Sequence, residues 1–172
     1  MNERKNAMKE IKLEETMINP FALIGKDWLV LTAGDEKGYN GMTVSWGHLG
    51  CLWSPNRPTA IAYVRESRHT KKFMDGNELF TLSLISDRKA LGYLGSHSGR
   101  DEDKFANAGV KPLFIDGTTA VEGAKLVLVC RKLYAAPLSE EGFVDKSILA
   151  KDYGDGNMHT MYVGEIIKVR AE

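Results

Sequence analysis

Ser67, Arg68, Thr70 and Lys71 gather two hydroxyls and two cations in one short run, at the start of a segment, His69 to Asp75, that reads as a helix. A helix N-terminus points unpaired N–H groups and a partial positive charge outward, so Arg68 beside it completes a seat for a phosphate. Upstream lies Asn40-Gly-Met-Thr-Val-Ser-Trp46, followed by Trp53-Ser-Pro55, a stretch that reads as a strand edge suited to a flat, polar ring. Alternation along a strand sends Met42, Val44 and Trp46 to one face and leaves Thr43 and Ser45 on the other, open to a polar ligand. A phosphate seat next to a ring seat describes the site of a nucleotide-like cofactor. Both segments also have a plainer reading: a capped surface helix with solvated basic side chains, and a strand whose alternate residues enter the core.

A third polar stretch, Ser98 to Lys104, adds an ammonium that suits either a ring edge or a phosphate. Without a ligand it reads as a solvated loop in which Arg100, Asp101 and Asp103 pair among themselves. The chain has no Gly-x-Gly-x-x-Gly fingerprint after a strand and no phosphate loop of the Gly-Lys-Ser/Thr kind, so a Rossmann domain is not expected. The four histidines, His48, His69, His97 and His159, lack the spacing of metal ligands, and no metal is expected. No nucleophile–base pair follows from spacing. The chemistry is expected to reside in the cofactor, with the protein holding and tuning it.

Taken in order, these pieces resemble the flavin reductase-like family, whose members bind FMN on a split β-barrel. The likeness continues through Gly95-Ser-His-Ser-Gly-Arg-Asp-Glu-Asp-Lys104, Leu126-Val-Leu-Val-Cys-Arg-Lys-Leu-Tyr134 and His159-Thr-Met-Tyr-Val-Gly-Glu-Ile166, and runs from about Phe21 to about Val169. The resemblance implies that Asn40, Met42, Thr43, Val44, Ser45 and Trp46 line the ring and ribityl chain. It implies that Arg65, Ser67, Arg68 and Thr70 also bind the cofactor, and that Ser98 and Lys104 are further ligands. Lys104 would then either favour the negative charge of a reduced ring or contact the phosphate. His159 matches a family histidine before the last strand, although Gly154-Asp-Gly-Asn-Met158 intervenes where the family usually has a shorter Gly-Asp-x-His run.

The function implied is an FMN-dependent oxidoreductase that takes hydride from NAD(P)H or another reductant and passes electrons to free flavin, a protein or a small acceptor. Its alternative is a non-enzymatic electron carrier similar to flavoredoxin. A more distant alternative is a relative that uses the same barrel for another ligand, as pyridoxamine phosphate oxidases do with FMN and heme-handling proteins with heme. The family also implies a homodimer with flavin at the subunit boundary, for which Trp53, Tyr153 and Tyr162 are candidate surface aromatics.

The elements that must position these residues are mostly strands. Trp28 to Thr32 and Tyr39 to Trp46 read as a hairpin around the Gly34–Gly38 turn cluster, and Thr59 to Val64 and Leu79 to Ile85 as further strands. Ala124 to Ala135 and Met161 to Val169 complete about six, with short helices at His69 to Asp75, Asp87 to Leu94 and Lys104 to Ala108. Ser139 to Asn157 reads as helical fragments with a turn. This pattern predicts a mainly β protein, a split β-barrel with short peripheral α-helices. Residues 1–18 read as a polar arm or a short frayed helix, and 19–172 as one domain.

The 172 residues carry 23 basic and 23 acidic side chains, which gives no electrostatic reason to expect nucleic acid or an anionic membrane as partner. No run approaches the roughly 20 apolar residues of a membrane span. The polar N-terminus has no apolar signal core, so a cytoplasmic location is expected. Cys51 and Cys130 are too few for a disulfide scaffold, and both read as small buried residues.

Overall fold

The structure, a computed structural model, describes residues 8–172. Its strands are β1 (Lys9–Ile11), β2 (Leu29–Asp35), β3 (Gly38–Val44), β4 (Gly47–Cys51), β5 (Pro58–Arg65), β6 (Leu79–Leu84), β7 (Pro112–Ile115), β8 (Thr118–Val121), β9 (Leu126–Pro137) and β10 (His159–Ala171). The helices are short: α1 (Pro20–Ala22), α2 (Thr70–Gly76), α3 (Arg88–Ser96), α4 (Lys104–Asn107) and α5 (Ser147–Asp152). Eight strands form one antiparallel sheet in the order β3-β2-β6-β9-β10-β5-β4, with β1 added to β10, and β7 and β8 form a separate hairpin. This is the split β-barrel that the sequence predicts.

Both faces of the central strands are covered. Leu29, Leu31 and Ala33 of β2 and Leu128 and Cys130 of β9 face one buried cluster, while Val30, Val127 and Val129 face a second cluster with Leu91 and Leu94 of α3. Two buried faces explain why these strands read as continuous apolar runs and not as an alternation. Gly164 in β10 is required by this packing, because a Cβ there would lie 2.6 Å from the Phe80 ring. Side-chain caps set the helix starts: Asp87 accepts from Lys89 and Ala90 N–H, and Asp103 accepts from Ala106 N–H.

Four strands go beyond the sequence reading. β1 lies within the arm expected to be polar or frayed; residues 1–7 of that arm lie outside the described residues. β5 pairs with β10 only as far as Glu165, so the outer edge of β10 is open at Val169–Ala171 and Lys9–Ile11 fill it. β4 extends the sheet beyond β5 through a glycine-rich stretch without a strand-like pattern. β7 and β8 are joined by Asp116 and Gly117, both at positive φ (50° and 79°), the geometry that an Asp-Gly turn favours.

Two further expectations are corrected. Cys130 is buried, but Cys51 is exposed, because it ends the edge strand β4. Of the candidate surface aromatics only Trp53 reaches solvent, at 59% exposure. Tyr162 is fully buried with its O–H on Asp75, and Tyr153 is buried against His159.

Candidate functional site

Two clefts meet at Arg68. The first, about 220 Å³, lies where β3, the last strand of the sheet, leads into Ser45 and Trp46. Met42, Thr43, Val44, Ser45, Trp46 and Arg65 all line it. Since β3 ends the sheet, one edge of it has no strand partner among the described residues, and of its backbone groups Gly41 O accepts from Lys104. Met42 and Val44 also belong to the core, whereas Trp46 is 47% exposed and stands at the cleft beside His159, ring centres 5.0 Å apart. The Thr43 hydroxyl does not point at the cleft as a free donor, for it donates to Leu91 O at 2.6 Å.

The second cleft, about 200 Å³, collects Asn40, Ser67, Thr70, Ser98 and Lys104 around Arg68. Each of the twelve residues expected to bind the cofactor therefore lines one cleft or the other, whereas Lys71, part of the same cationic run, lines neither. Arg68 lines both, and its guanidinium has no hydrogen-bond or ion-pair partner among the described residues. Lys104, 4% exposed at the start of α4, donates to Gly41 O at 2.9 Å. Close packing seals the wall here: a Cβ at Gly99 would lie 2.1 Å from Asn40 Oδ1, and one at Gly41 would lie 2.5 Å from Thr32 Cγ2.

Some expected ligands are otherwise engaged. Lys71 turns away to Asp75, at 2.7 Å, and to Glu66, so it adds nothing to the seat. The two terminal nitrogens of Arg65 donate to Asn157 O and Asp152 O at 2.8 and 2.9 Å, and its guanidinium lies over the Tyr153 ring. Arg65 thus fastens the 152–157 segment to the rim of the first cleft.

Electrostatics separate the two clefts. Burial, reinforced by Arg68, lowers the Lys104 pKa to about 8, so its ammonium is held beside a like charge, with no carboxylate bonded to it among the described residues. Burial, with Arg65 and Arg68, also lowers His159 to about 4, so its imidazole is neutral at pH 7; its Nδ1 lies 2.8 Å from the Tyr153 hydroxyl. The first cleft thus presents neutral rings and backbone with Arg65 and Arg68 at its margin, and the second presents cations and hydroxyls.

Several lining residues are not among the expected ligands, although the sequence reading considers His159 and Arg100. Tyr63 and His159 belong to the first cleft, and His69, His97, Gly99 and Arg100 to the second. His159 had a signal, its place before the last strand. Asn157, which grips Ser67 from the far side of the chain through both its amide atoms, had none.

The sequence profile of the flavin reductase like domain matches residues 22–172. None of the curated proteins matches the chain. Among solved structures, an FMN-binding domain of a flavin reductases-like enzyme from Shewanella baltica superposes with a TM-score of 0.67 at 18% identity, covering 97% of this chain and 78% of the other. Flavoredoxin of Desulfovibrio vulgaris gives 0.65 at 18% identity over 95% and 77%. An NADH:FAD oxidoreductase of Streptomyces globisporus gives 0.62 at 19% identity over 85% and 75%. At these identities the likeness is one of fold.

Proposed function

The chain belongs to the flavin reductase-like domain family, and we propose that it is an FMN-dependent oxidoreductase that accepts hydride from NAD(P)H. The observation that carries this reading is the meeting of a neutral, aromatic cleft with a cationic, hydroxyl-rich one at Arg68. The donor set fits a flavin bearing a single phosphate: cations and hydroxyls for the phosphate, and the free edge of β3 with Ser45 for the polar side of the ring. When bound, FMN supplies the hydride and electron transfer.

The protein's own residues hold and shape. Arg68 and Lys104 neutralise the phosphate, with Ser67, Thr70 and Ser98 as hydroxyl partners, so Lys104 is assigned to the phosphate and not to the ring edge. Met42 and Val44 would give apolar contact to the ring, and Trp46 with neutral His159 would limit water at the cleft. Asn40 acts behind Thr70, to which its amide donates at 2.8 Å. No side chain is assigned as a general acid or base.

The NAD(P)H step draws support from the likeness to the Streptomyces NADH:FAD oxidoreductase, and the flavoredoxin likeness favours a carrier as the second reading. Stopped-flow mixing of the flavin-loaded protein with NADH or NADPH separates them. Rapid bleaching of the flavin absorbance is expected; its absence with both nucleotides rejects the reductase and leaves the carrier. We also propose a cytoplasmic homodimer, supported by the exposed Trp53 and Tyr134 pair, whose rings lie 6.4 Å apart. Light scattering that returns the mass of one chain with FMN bound rejects the dimer.

A further inference from the structure

Three hydroxyls of the second cleft, those of Ser67, Thr70 and Ser98, share a feature that their positions alone do not reveal. Each is backed by an N–H group that can only donate. Asn157 Nδ2 donates to Ser67 Oγ at 2.7 Å, Asn40 Nδ2 to Thr70 Oγ1 at 2.8 Å, and the Arg100 backbone N–H to Ser98 Oγ at 3.2 Å. The Asn157 amide cannot be turned the other way, because its Oδ1 accepts from the Ser67 backbone N–H at 3.2 Å, a group that is itself only a donor. A hydroxyl that accepts at its oxygen keeps its proton for another acceptor. Among the described residues none of these three protons has a protein acceptor. Ser96, by contrast, lies at the same cleft and gives its proton to Gly92 O at 2.9 Å.

We infer that the second cleft is a donor-only seat whose polarity is set from behind, with Asn157 and Asn40 as positioning residues that aim the Ser67 and Thr70 protons at a phosphate. The inference rests on the proposed FMN reading and adds its specificity. Such a seat selects a group whose oxygens only accept, a fully ionised phosphate monoester, over any ligand that brings its own hydroxyl to that place. Asn157 belongs to the 152–157 segment that Arg65 fastens by two hydrogen bonds, so Arg65 acts on the phosphate only through that segment.

The test is calorimetric titration of the flavin-free protein with FMN and with riboflavin, for native protein, Ser67→Ala, Asn157→Ala and the double variant. Ser67→Ala is expected to reduce the preference for FMN over riboflavin by about tenfold, and Asn157→Ala by about threefold to tenfold. Because Asn157 acts through Ser67, the double variant should lose no more than Ser67→Ala alone. Losses that multiply, or an Asn157→Ala preference equal to the native one, overturn the inference. So does an equal fall for both flavins, which would make Asn157 a prop of the segment only. Should Asn157→Ala not fold, Asn157→Asp keeps the acceptor for Ser67 N–H but turns the hydroxyl proton onto itself, and the same loss of FMN preference is expected. A native protein that binds both flavins equally removes the phosphate seat itself, a separate failure of the reading beneath.

Discussion

The chain uses its cations in two opposite ways. At the Asp116 turn, Lys168 and Arg170 converge on one carboxylate, with bonds of 2.7 to 2.8 Å from three donor atoms. At the second cleft, Arg68 and Lys104 stand together, and among the described residues no carboxylate is bonded to either. The first arrangement is closed: Arg170 foremost, with Lys168, holds Asp116 down at about 2 despite its burial. The second is open, and Lys104 is pushed down to about 8 by burial and by its neighbour. Charge that a protein satisfies internally joins its parts, here β10 to the β7–β8 turn; charge left unsatisfied waits for a ligand.

The comparison breaks most sharply at Arg68. Arg68→Ala should weaken FMN by about 1.5–3 kcal/mol, the loss of a charge-assisted pair, and leave riboflavin affinity and the melting temperature close to native. Equal losses for both flavins would move the phosphate elsewhere.

Asp116→Asn should do the reverse. Denaturant unfolding is expected to show a loss of about 1–2 kcal/mol with flavin affinity unchanged. The acid limb carries the sign: a carboxyl with a depressed folded pKa stabilises above its ordinary value of about 4, and that contribution is lost as pH falls through about 2. The variant should therefore show a shallower acid transition; an identical one would mean that the clasp adds nothing.

Lys104→Met sharpens the open side. It should weaken FMN by about 1–2 kcal/mol and spare riboflavin. In native protein the FMN dissociation constant should rise as pH climbs through about 8, where the free ammonium loses its proton, and this rise should vanish in the variant. A pH profile that Lys104→Met leaves unaltered would take the lysine out of the seat.

The smallest effect is expected at Lys71, a cation of the same sequence run that is paired with Asp75 and Glu66. Lys71→Ala should change stability by less than about 1 kcal/mol and FMN affinity by less than about twofold. A loss like that of Arg68→Ala would show that pairing does not remove a cation from the site.

Much of the barrel is legible in the chain because local order and burial coincide. β6 and β9 read as apolar runs since the sheet is covered on both faces, and α3 announces its start through Asp87. The Asp116-Gly117 turn had a sequence signal as well, the Asp-Gly pair, but the strands beside it are only four residues each. β1 had none, because what holds Lys9–Ile11 is the vacant edge of a strand at the other end of the chain.

The site divides in the same way. Residue types between Asn40 and Trp46 and between Ser67 and Thr70 are what suggest a ring seat and an anion seat, because hydroxyl, guanidinium and strand-edge chemistry belong to the residues themselves. Which charges stay open is a property of approach. Lys71 is withdrawn by a carboxylate one helical turn away, Arg65 by carbonyls 87 and 92 residues distant, and Ser67 is oriented by an amide 90 residues along the chain. Hydrogen bonds decay within a few tenths of an ångström, so only the folded backbone, by bringing Asn157 to Ser67 and Lys104 to Gly41, decides which donors remain for a ligand.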